Sequence, residues 1–364
     1  MTLTDLGWDD YFQAQLGECS DSGLVCARVS RQQKKQYRVL TETGEHTAVI
    51  LGKFRHQAES LADFPAVGDW VLVQLQAEED KAVIHHVLPR KTKISRDTTT
   101  RKGRRPIADE QVLVANVDAI FLVTALNEEL NLRRIERYLT VIWDSGAKPV
   151  LLLNKSDLCD HVDDILPQIE QVAIGVDVHV LSAAKDEGLD VLQRYLGAGK
   201  TVALLGSSGV GKSTIINKII GVEKFKVSAT GEYKDKGRHI TTHREMVLLD
   251  SGGILIDNPG MRSIQLWDGE DGMAKSFADI EQIAVDCRFK DCRHVNEPGC
   301  AVLRAVAAKE LPAERYESYL KLQKELDYRA RKENWSARQN TKKRWKSIAK
   351  SIRQLKNDRH KGFE

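Results

Sequence analysis

The sequence has no long hydrophobic run, few cysteines and little net charge. No apolar stretch approaches the roughly 20 residues that cross a bilayer, so we expect no membrane contact. Residues 1–5 lack the basic and apolar regions of a secretory signal, and we therefore expect a cytoplasmic protein. Six cysteines in 364 residues do not make a disulfide scaffold. A hydrophobic fraction of 41% and this length predict a globular protein of two or three domains.

The small net charge of +3 conceals an uneven distribution. Residues 329–364 contain 13 lysines and arginines but only three acidic residues. The rest of the chain is therefore acidic. We predict a basic C-terminal tail over residues 331–364, and such a tail on an acidic protein favours a polyanionic partner.

The N-terminal part has the sequence pattern of an all-β protein. Residues 1–21 show no clear pattern and are interpreted as a loose leader. Five short apolar segments separated by Gly, Asp and Pro predict a barrel of the OB type over residues 22–90. Residues 91–111 are dense in arginine and lysine and are predicted to be a basic linker. That linker is equally compatible with a loop that contacts RNA and with a solvated connector.

From residue 112 to 270, apolar strands alternate with helical segments, and residues 271–330 are mostly helical. The alternation predicts a doubly wound α/β sheet, whose ligands bind at the carboxyl ends of the strands. Each motif described next follows one of the predicted strands.

A Gly-x-x-x-x-Gly-Lys-Ser motif lies between an apolar strand and a helix, which is the context that a phosphate-binding P-loop requires. Its backbone N–H groups would surround phosphate oxygens, the lysine would reach the β- and γ-phosphates, and the serine would hold Mg²⁺. The predicted nucleotide-binding residues of this loop are Gly206, Ser207, Ser208, Gly209, Val210, Gly211, Lys212, Ser213 and Thr214.

A second motif, Asn154-Lys155-Ser156-Asp157, follows another apolar strand and fits the guanine-specific Asn-Lys-x-Asp pattern. The Asp157 carboxylate would accept hydrogen bonds from guanine N1–H and its exocyclic amine, which adenine does not offer. Ser182 and Ala183 fit the companion loop that supports guanine O6. Together with the P-loop, these residues predict GTP and GDP as ligands, and they disfavour an ATPase.

Asp257-Asn258-Pro259-Gly260 fits the Asp-x-Pro-Gly switch motif. Asp257 would hold Mg²⁺ through water, and the Gly260 N–H would detect the γ-phosphate. A switch threonine would close over Mg²⁺, and Thr241 and Thr242 are both candidates.

Met261 stands where Ras has the glutamine that positions water, so intrinsic hydrolysis should be slow. His239 is the first candidate for the missing catalytic group and His243 the second. A solvent-facing histidine is the competing interpretation for both.

The order of the motifs is unusual. In Ras-like GTPases the P-loop comes first, whereas here the guanine motif precedes it, which indicates a circular permutation. The segment that follows the γ-phosphate switch therefore leads directly into the C-terminal domain, to which the nucleotide state could be transmitted.

Cys287, Cys292, His294 and Cys300 supply three thiolates and one imidazole. This donor set is typical of a closed, tetrahedral structural zinc site, and it leaves no open position for catalysis. We predict one structural zinc per chain, besides the Mg²⁺ that accompanies GTP.

Taken together, these motifs resemble the circularly permuted ribosome small subunit-dependent GTPase A family (RsgA, also called YjeQ). The resemblance covers nearly the whole chain, including the barrel, the permuted motifs and the cysteine–histidine cluster. It implies a monomeric GTPase that binds the small ribosomal subunit and its 16S rRNA late in maturation. It also implies low intrinsic activity stimulated by the subunit, and help in releasing an assembly factor.

Within the resemblance, the proposed catalytic histidine of the family matches His239. The sequence departs from the family pattern at Ile240, where a threonine is usual, and at Asn258, where Thr or Ser is usual. Two other functions compete with this one: a GTPase that acts on another RNA such as tRNA, and a nucleotide-gated RNA-binding module in which hydrolysis is incidental.

Overall fold

The computed structural model describes residues 1–16, 23–33, 36–76, 80–102, 105–127, 130–222, 244–257, 270–328 and 330–331. Thirteen strands, nine α-helices and four short 3₁₀ helices are present in these ranges. The strands form one eleven-stranded sheet, part of which closes into a barrel, and a separate two-stranded hairpin.

Five strands of the N-terminal part form the predicted barrel. They are β1 (Val25–Gln33), β2 (Gln36–Thr41), β3 (Gly44–Ile50), β4 (Trp70–Gln76) and β5 (Lys81–Val87). The strand order is β1-β2-β3-β5-β4, and β4 returns to pair with β1. This closure leaves no free edge within the barrel and buries Val29, Val39 and Ile84 in its interior. A short helix, α2 (Gly52–Gln57), lies in the connection between β3 and β4.

Residues 1–16 are folded, which differs from the predicted loose leader. Helix α1 (Asp10–Gln15) begins after Asp9, whose carboxylate accepts hydrogen bonds from the first-turn N–H groups. Leu6 and Phe12 are buried against Trp70 of the barrel. Two apolar anchors in so short a segment produce no recognisable periodicity, and this is why the sequence did not reveal the packing.

Most of the predicted basic linker also has regular structure. Strands β6 (Lys93–Lys102) and β7 (Arg105–Ala115) pair as a long antiparallel hairpin. At its base, Ile94 lies opposite Val114, and both are buried in the core of the following domain. The arginines and lysines dominated the sequence pattern, whereas cross-strand pairing and the apolar residues at the base determine the structure.

Six strands of the α/β domain extend the sheet in the order β10-β9-β8-β11-β13-β12. These strands are β8 (Ala119–Ala125), β9 (Lys148–Asn154), β10 (Asp177–Val180), β11 (Thr201–Leu205), β12 (Arg244–Leu248) and β13 (Ile254–Asp257). All neighbours are parallel except β12, which runs antiparallel to β13. Strand β12 also pairs with β1, so the sheet is continuous with the barrel.

Helices cover both faces of this sheet, as a doubly wound fold requires. Helices α3 (Leu132–Asp144) and α4 (Val162–Val172) pack on one face through residues such as Leu139 and Ile169. Helix α5 (Lys212–Ile220) packs on the other face through Ile215 and Ile216. The strands carry almost continuous apolar runs because both of their faces are buried.

The C-terminal part is helical, as predicted. Its helices are α6 (Glu270–Ser276), α7 (Ala278–Ala284), α8 (Ala301–Ala307) and α9 (residues 313–328). Gly272 of α6 lies so close to α3 that a Cβ atom would stand 2.3 Å from the Thr140 carbonyl oxygen. The C-terminal helices therefore pack directly on the α/β domain. Within the described ranges, no helix is long and apolar enough to cross a membrane.

Candidate functional site: a guanine-nucleotide site and a metal cluster

The predicted P-loop joins β11 to α5, and its backbone requires glycine at two crowded points. Gly206 has φ 148°, and a Cβ atom there would stand 2.2 Å from the Val123 carbonyl oxygen. Gly211 has φ 101°, and its Cβ would stand 2.1 Å from Nδ2 of Asn154. Side chains at these positions would force the loop open. The glycines thus let the chain turn tightly and present the N-terminus of α5 at the carboxyl end of β11.

Lys212, the first residue of α5, folds back over this loop. Its ammonium group donates hydrogen bonds to the carbonyl oxygens of Gly206, at 2.9 Å, and Ser207, at 2.6 Å. A cation is thereby held over the loop, beside the N-terminal end of the helix dipole. The arrangement suits a polyphosphate ligand.

Asn154 connects the guanine motif to the P-loop. Its side chain is buried, its amide nitrogen donates to the Val210 carbonyl oxygen at 2.7 Å, and its amide oxygen accepts from the Ala183 N–H at 3.0 Å. These bonds satisfy the amide within the protein. In this structure Asn154 therefore acts as a brace that joins three loops, a role that the sequence motif did not indicate.

The Asp157 carboxylate lies beside the companion loop. Its Oδ1 accepts a hydrogen bond from the Ser182 hydroxyl at 2.6 Å. Lys155 has a left-handed backbone (φ 65°), which turns the chain sharply after β9. The single bond to Ser182 fixes the orientation of the carboxylate and leaves it further acceptor capacity, which a base with two adjacent donors can use.

Asp257 ends β13, next to the strand that precedes the P-loop, and is largely buried. Ser213 follows Lys212 in the first turn of α5. Since the two strands are parallel neighbours, both residues lie at the same edge of the sheet. Five further candidates, His239, His243, Thr241, Thr242 and Gly260, lie outside the described residues.

The four predicted metal ligands are brought together. The Cys287 sulfur lies 3.6 Å from His294 Nδ1 and 3.9 Å from the Cys300 sulfur, and His294 Nδ1 lies 3.4 Å from the Cys300 sulfur. All four ligand atoms, including that of Cys292, lie within 4.8 Å of one another. Zinc with bonds of about 2.0–2.3 Å needs tetrahedral edges of about 3.5–3.8 Å. The cluster can therefore hold a zinc ion, as predicted.

Other residues support the cluster, and sequence reasoning missed them. The Glu297 carboxylate accepts hydrogen bonds from the N–H groups of Val295, Asn296 and Arg293. These donors, that of Val295 above all, lower the pKa of Glu297 to about 2. Tyr316 of α9 donates its hydroxyl hydrogen to the His294 carbonyl oxygen. The only sequence signal was the short spacing between the ligands.

The fold and site define a class. The guanine motif on β9, the companion loop after β10, and the P-loop after β11 meet at one sheet edge, in permuted order along the chain. The protein is a circularly permuted GTPase with an N-terminal β-barrel and a C-terminal helical domain that contains a Cys₃His cluster.

Comparisons with known proteins identify the family. The RsgA GTPase family model matches residues 87–267. The chain is 41% identical over 360 residues to the small ribosomal subunit biogenesis GTPase RsgA of Opitutus terrae, covering 96% of both chains. It is 42% identical over 351 residues to the protein of the same name in Methanosarcina acetivorans, covering 96% of this chain and 92% of that relative. The chain belongs to the RsgA GTPase family and is a GTP hydrolase.

Solved structures support the fold. The crystal structure of YjeQ from Thermotoga maritima matches with a TM-score of 0.60 and 28% identity, covering 83% of this chain and 98% of that one. The structure of YloQ, described as a circularly permuted GTPase, matches with a TM-score of 0.59 at 24% identity, covering 85% and 97%. The sequence-based prediction of the family and fold class is confirmed.

Proposed function

We propose that this protein is a GTPase of small ribosomal subunit biogenesis. It binds the small subunit through 16S rRNA late in maturation, hydrolyses GTP there, and couples hydrolysis to the release of an assembly factor. The observation that carries the proposal is the permuted guanine site of this chain, joined to its Cys₃His helical domain. Relatives aligned over nearly their whole length are named small ribosomal subunit biogenesis GTPases, which supports it.

In this proposal the phosphates bind the loop of residues 206–214, with Lys212 at the β- and γ-phosphates. Ser213 and Asp257 hold Mg²⁺, which neutralises charge on the phosphate oxygens. Asp157 selects guanine, and Ser182, Ala183 and Lys155 complete the base pocket. Asn154 holds the loops in place through the two hydrogen bonds described above.

The remaining roles fall on residues outside the described ranges and rest on the sequence alone. Thr241 or Thr242 closes over Mg²⁺, Gly260 detects the γ-phosphate, and His239 supports attack by water. Because Met261 cannot orient water, His239→Ala should abolish subunit-stimulated turnover while GTP binding is retained.

Transmission to the C-terminal domain is supported by its packing. Helix α6 begins at Glu270, twelve residues after Asn258 of the switch motif, and it lies directly on α3. A conformational change at the γ-phosphate switch would therefore be transmitted along the chain to a helical domain that already contacts the GTPase core. Movement of this domain would alter the fit of the protein on the subunit.

The experiment that tests the proposal measures GTP hydrolysis by the purified protein alone, with small subunits, and with large subunits as the control. We expect strong stimulation by the small subunit only. Equal, slow hydrolysis in all three reactions would overturn the proposal in favour of the nucleotide-gated RNA-binding module. In that module, His239→Ala would leave nucleotide-dependent RNA binding intact.

A further inference from the structure

Helix α3 carries three arginines near its start, and only one of them faces the nucleotide loop. Arg133 donates to the Glu136 carboxylate at 2.7 Å, and Arg137 donates to both carboxylate oxygens of Glu325, at 2.6 and 2.8 Å. Arg134 instead donates to the Ser207 hydroxyl at 3.3 Å. Among the described residues, no carboxylate forms an ion pair with Arg134. Within the part of the chain that the structure describes, an exposed cation without a carboxylate partner thus lies against the P-loop.

Two cations meet at Ser207. The Lys212 ammonium contacts its carbonyl oxygen, and the Arg134 guanidinium contacts its hydroxyl. The lysine of a P-loop is the group that reaches the β- and γ-phosphates. Arg134 therefore adds positive charge at Ser207, the residue that the phosphate-binding Lys212 also contacts. Its planar guanidinium group has further N–H donors that can bind an anion.

The backbone of Arg134 is held firmly by the rest of α3. Asn131 caps the helix by accepting from the Arg134 N–H at 3.0 Å. Two residues further on, the fully buried Glu136 accepts from Arg315, at 2.9 Å, as well as from Arg133. The helix is thus fixed to the C-terminal domain on one side while Arg134 faces the P-loop on the other.

We propose that Arg134 is a positioning residue of the phosphate site, which through Ser207 orders the P-loop and adds charge that favours a γ-phosphate. The inference rests on the nucleotide site proposed above. Its consequence is selectivity between nucleotides, because a triphosphate has more negative charge near Arg134 than a diphosphate has. Arg134 should therefore strengthen binding of GTP more than that of GDP.

The test compares dissociation constants for GDP and for a non-hydrolysable GTP analogue in the full-length protein with Mg²⁺. In Arg134→Ala we expect affinity for the analogue to fall about tenfold and affinity for GDP to change about twofold or less. Arg134→Lys keeps the positive charge, so it should retain most of the preference for the GTP analogue over GDP. Arg137→Ala is the matched control, since it removes an arginine of the same helix that is already paired with Glu325.

A second arm examines the contact itself. Ser207→Ala removes the hydroxyl that accepts from Arg134. The double variant, Ser207→Ala with Arg134→Ala, should bind the GTP analogue no more weakly than Arg134→Ala alone, because the two side chains act together. Unchanged affinities in Arg134→Ala would overturn the inference. So would an equal loss of affinity for both nucleotides, which would mean that Arg134 orders the loop without favouring the γ-phosphate. If the wild-type protein bound neither nucleotide, the proposed function itself would fail.

Discussion

The side-chain amide of Asn154 donates a hydrogen bond to the Val210 carbonyl oxygen over 2.7 Å, joining the guanine motif to the P-loop. The two residues are 56 positions apart in the chain. Since the same amide also accepts from the Ala183 N–H, one side chain sets the relative positions of base-binding and phosphate-binding loops.

Replacing this brace should affect stability and binding together. Asn154→Ala leaves the Val210 carbonyl and the Ala183 N–H without their partner, so we expect the free energy of unfolding to fall by about 2 kcal/mol. Affinities for GTP and GDP should decline in parallel. Urea unfolding and nucleotide titration measure both effects. Gln168→Ala, at an exposed position of α4, is the control and should change neither.

Asp157→Asn should change the preferred base rather than destroy the pocket. The Asn oxygen can still accept from the Ser182 hydroxyl, which leaves its NH₂ group to face the base. Xanthine has a carbonyl where guanine has its exocyclic amine, so the variant should bind xanthosine nucleotides and lose about 100-fold in GTP affinity. Competition binding with both nucleotides measures the change. If the guanine preference stayed intact, Asp157 would not be the base-selecting residue.

The buried Arg315, which joins α3 to the C-terminal helices, should contribute far more to stability than an exposed ion pair does. Arg315 forms two bonds with Asp279, at 2.6 and 2.7 Å, and one with Glu136, at 2.9 Å. Arg315→Ala leaves Glu136 buried with less compensation and should lower the free energy of unfolding by about 3–5 kcal/mol.

The matched control for that change is Arg38→Ala, which breaks the exposed pair with Glu45. Solvent screens this pair, so the loss should be below about 1 kcal/mol. Thermal unfolding of the two variants gives the comparison. Equal losses would contradict the idea that the network anchors the C-terminal domain.

Removing zinc should loosen α8 first. The Cys300 sulfur accepts from the Leu303 N–H at the start of this helix, and the Cys287 sulfur accepts from the Ala301 N–H. With a strong chelator, amides of Ala301–Ala307 should exchange hydrogen faster, while those of the central strand β9 should not change.

Metal analysis of the purified protein provides the second measurement, with one zinc per chain expected. Cys292→Ser should reduce that ratio and reproduce the faster exchange without the chelator. Unaltered exchange of α8 after complete metal removal would show that the helix does not depend on the cluster.

The sequence alone was enough to predict the permuted GTPase fold, the barrel and the metal ligands. These predictions were possible because P-loops, guanine motifs and zinc ligands require particular residues at fixed spacings, and barrel strands alternate with clear turn residues. The family followed from the conjunction of these local patterns. None of them depends on knowing which distant residues touch.

Tertiary structure decided what local patterns do not contain. The packing of Phe12 on Trp70, the hairpin in place of a linker, the two bonds of Asn154 and the contact of Arg134 with Ser207 all join residues far apart in the chain. Such contacts depend on how strands and helices are arranged in space. A single side chain carries no signal of its distant partner. The sequence therefore established the class of chemistry, while the fold established which residues brace the site and which lie against the P-loop.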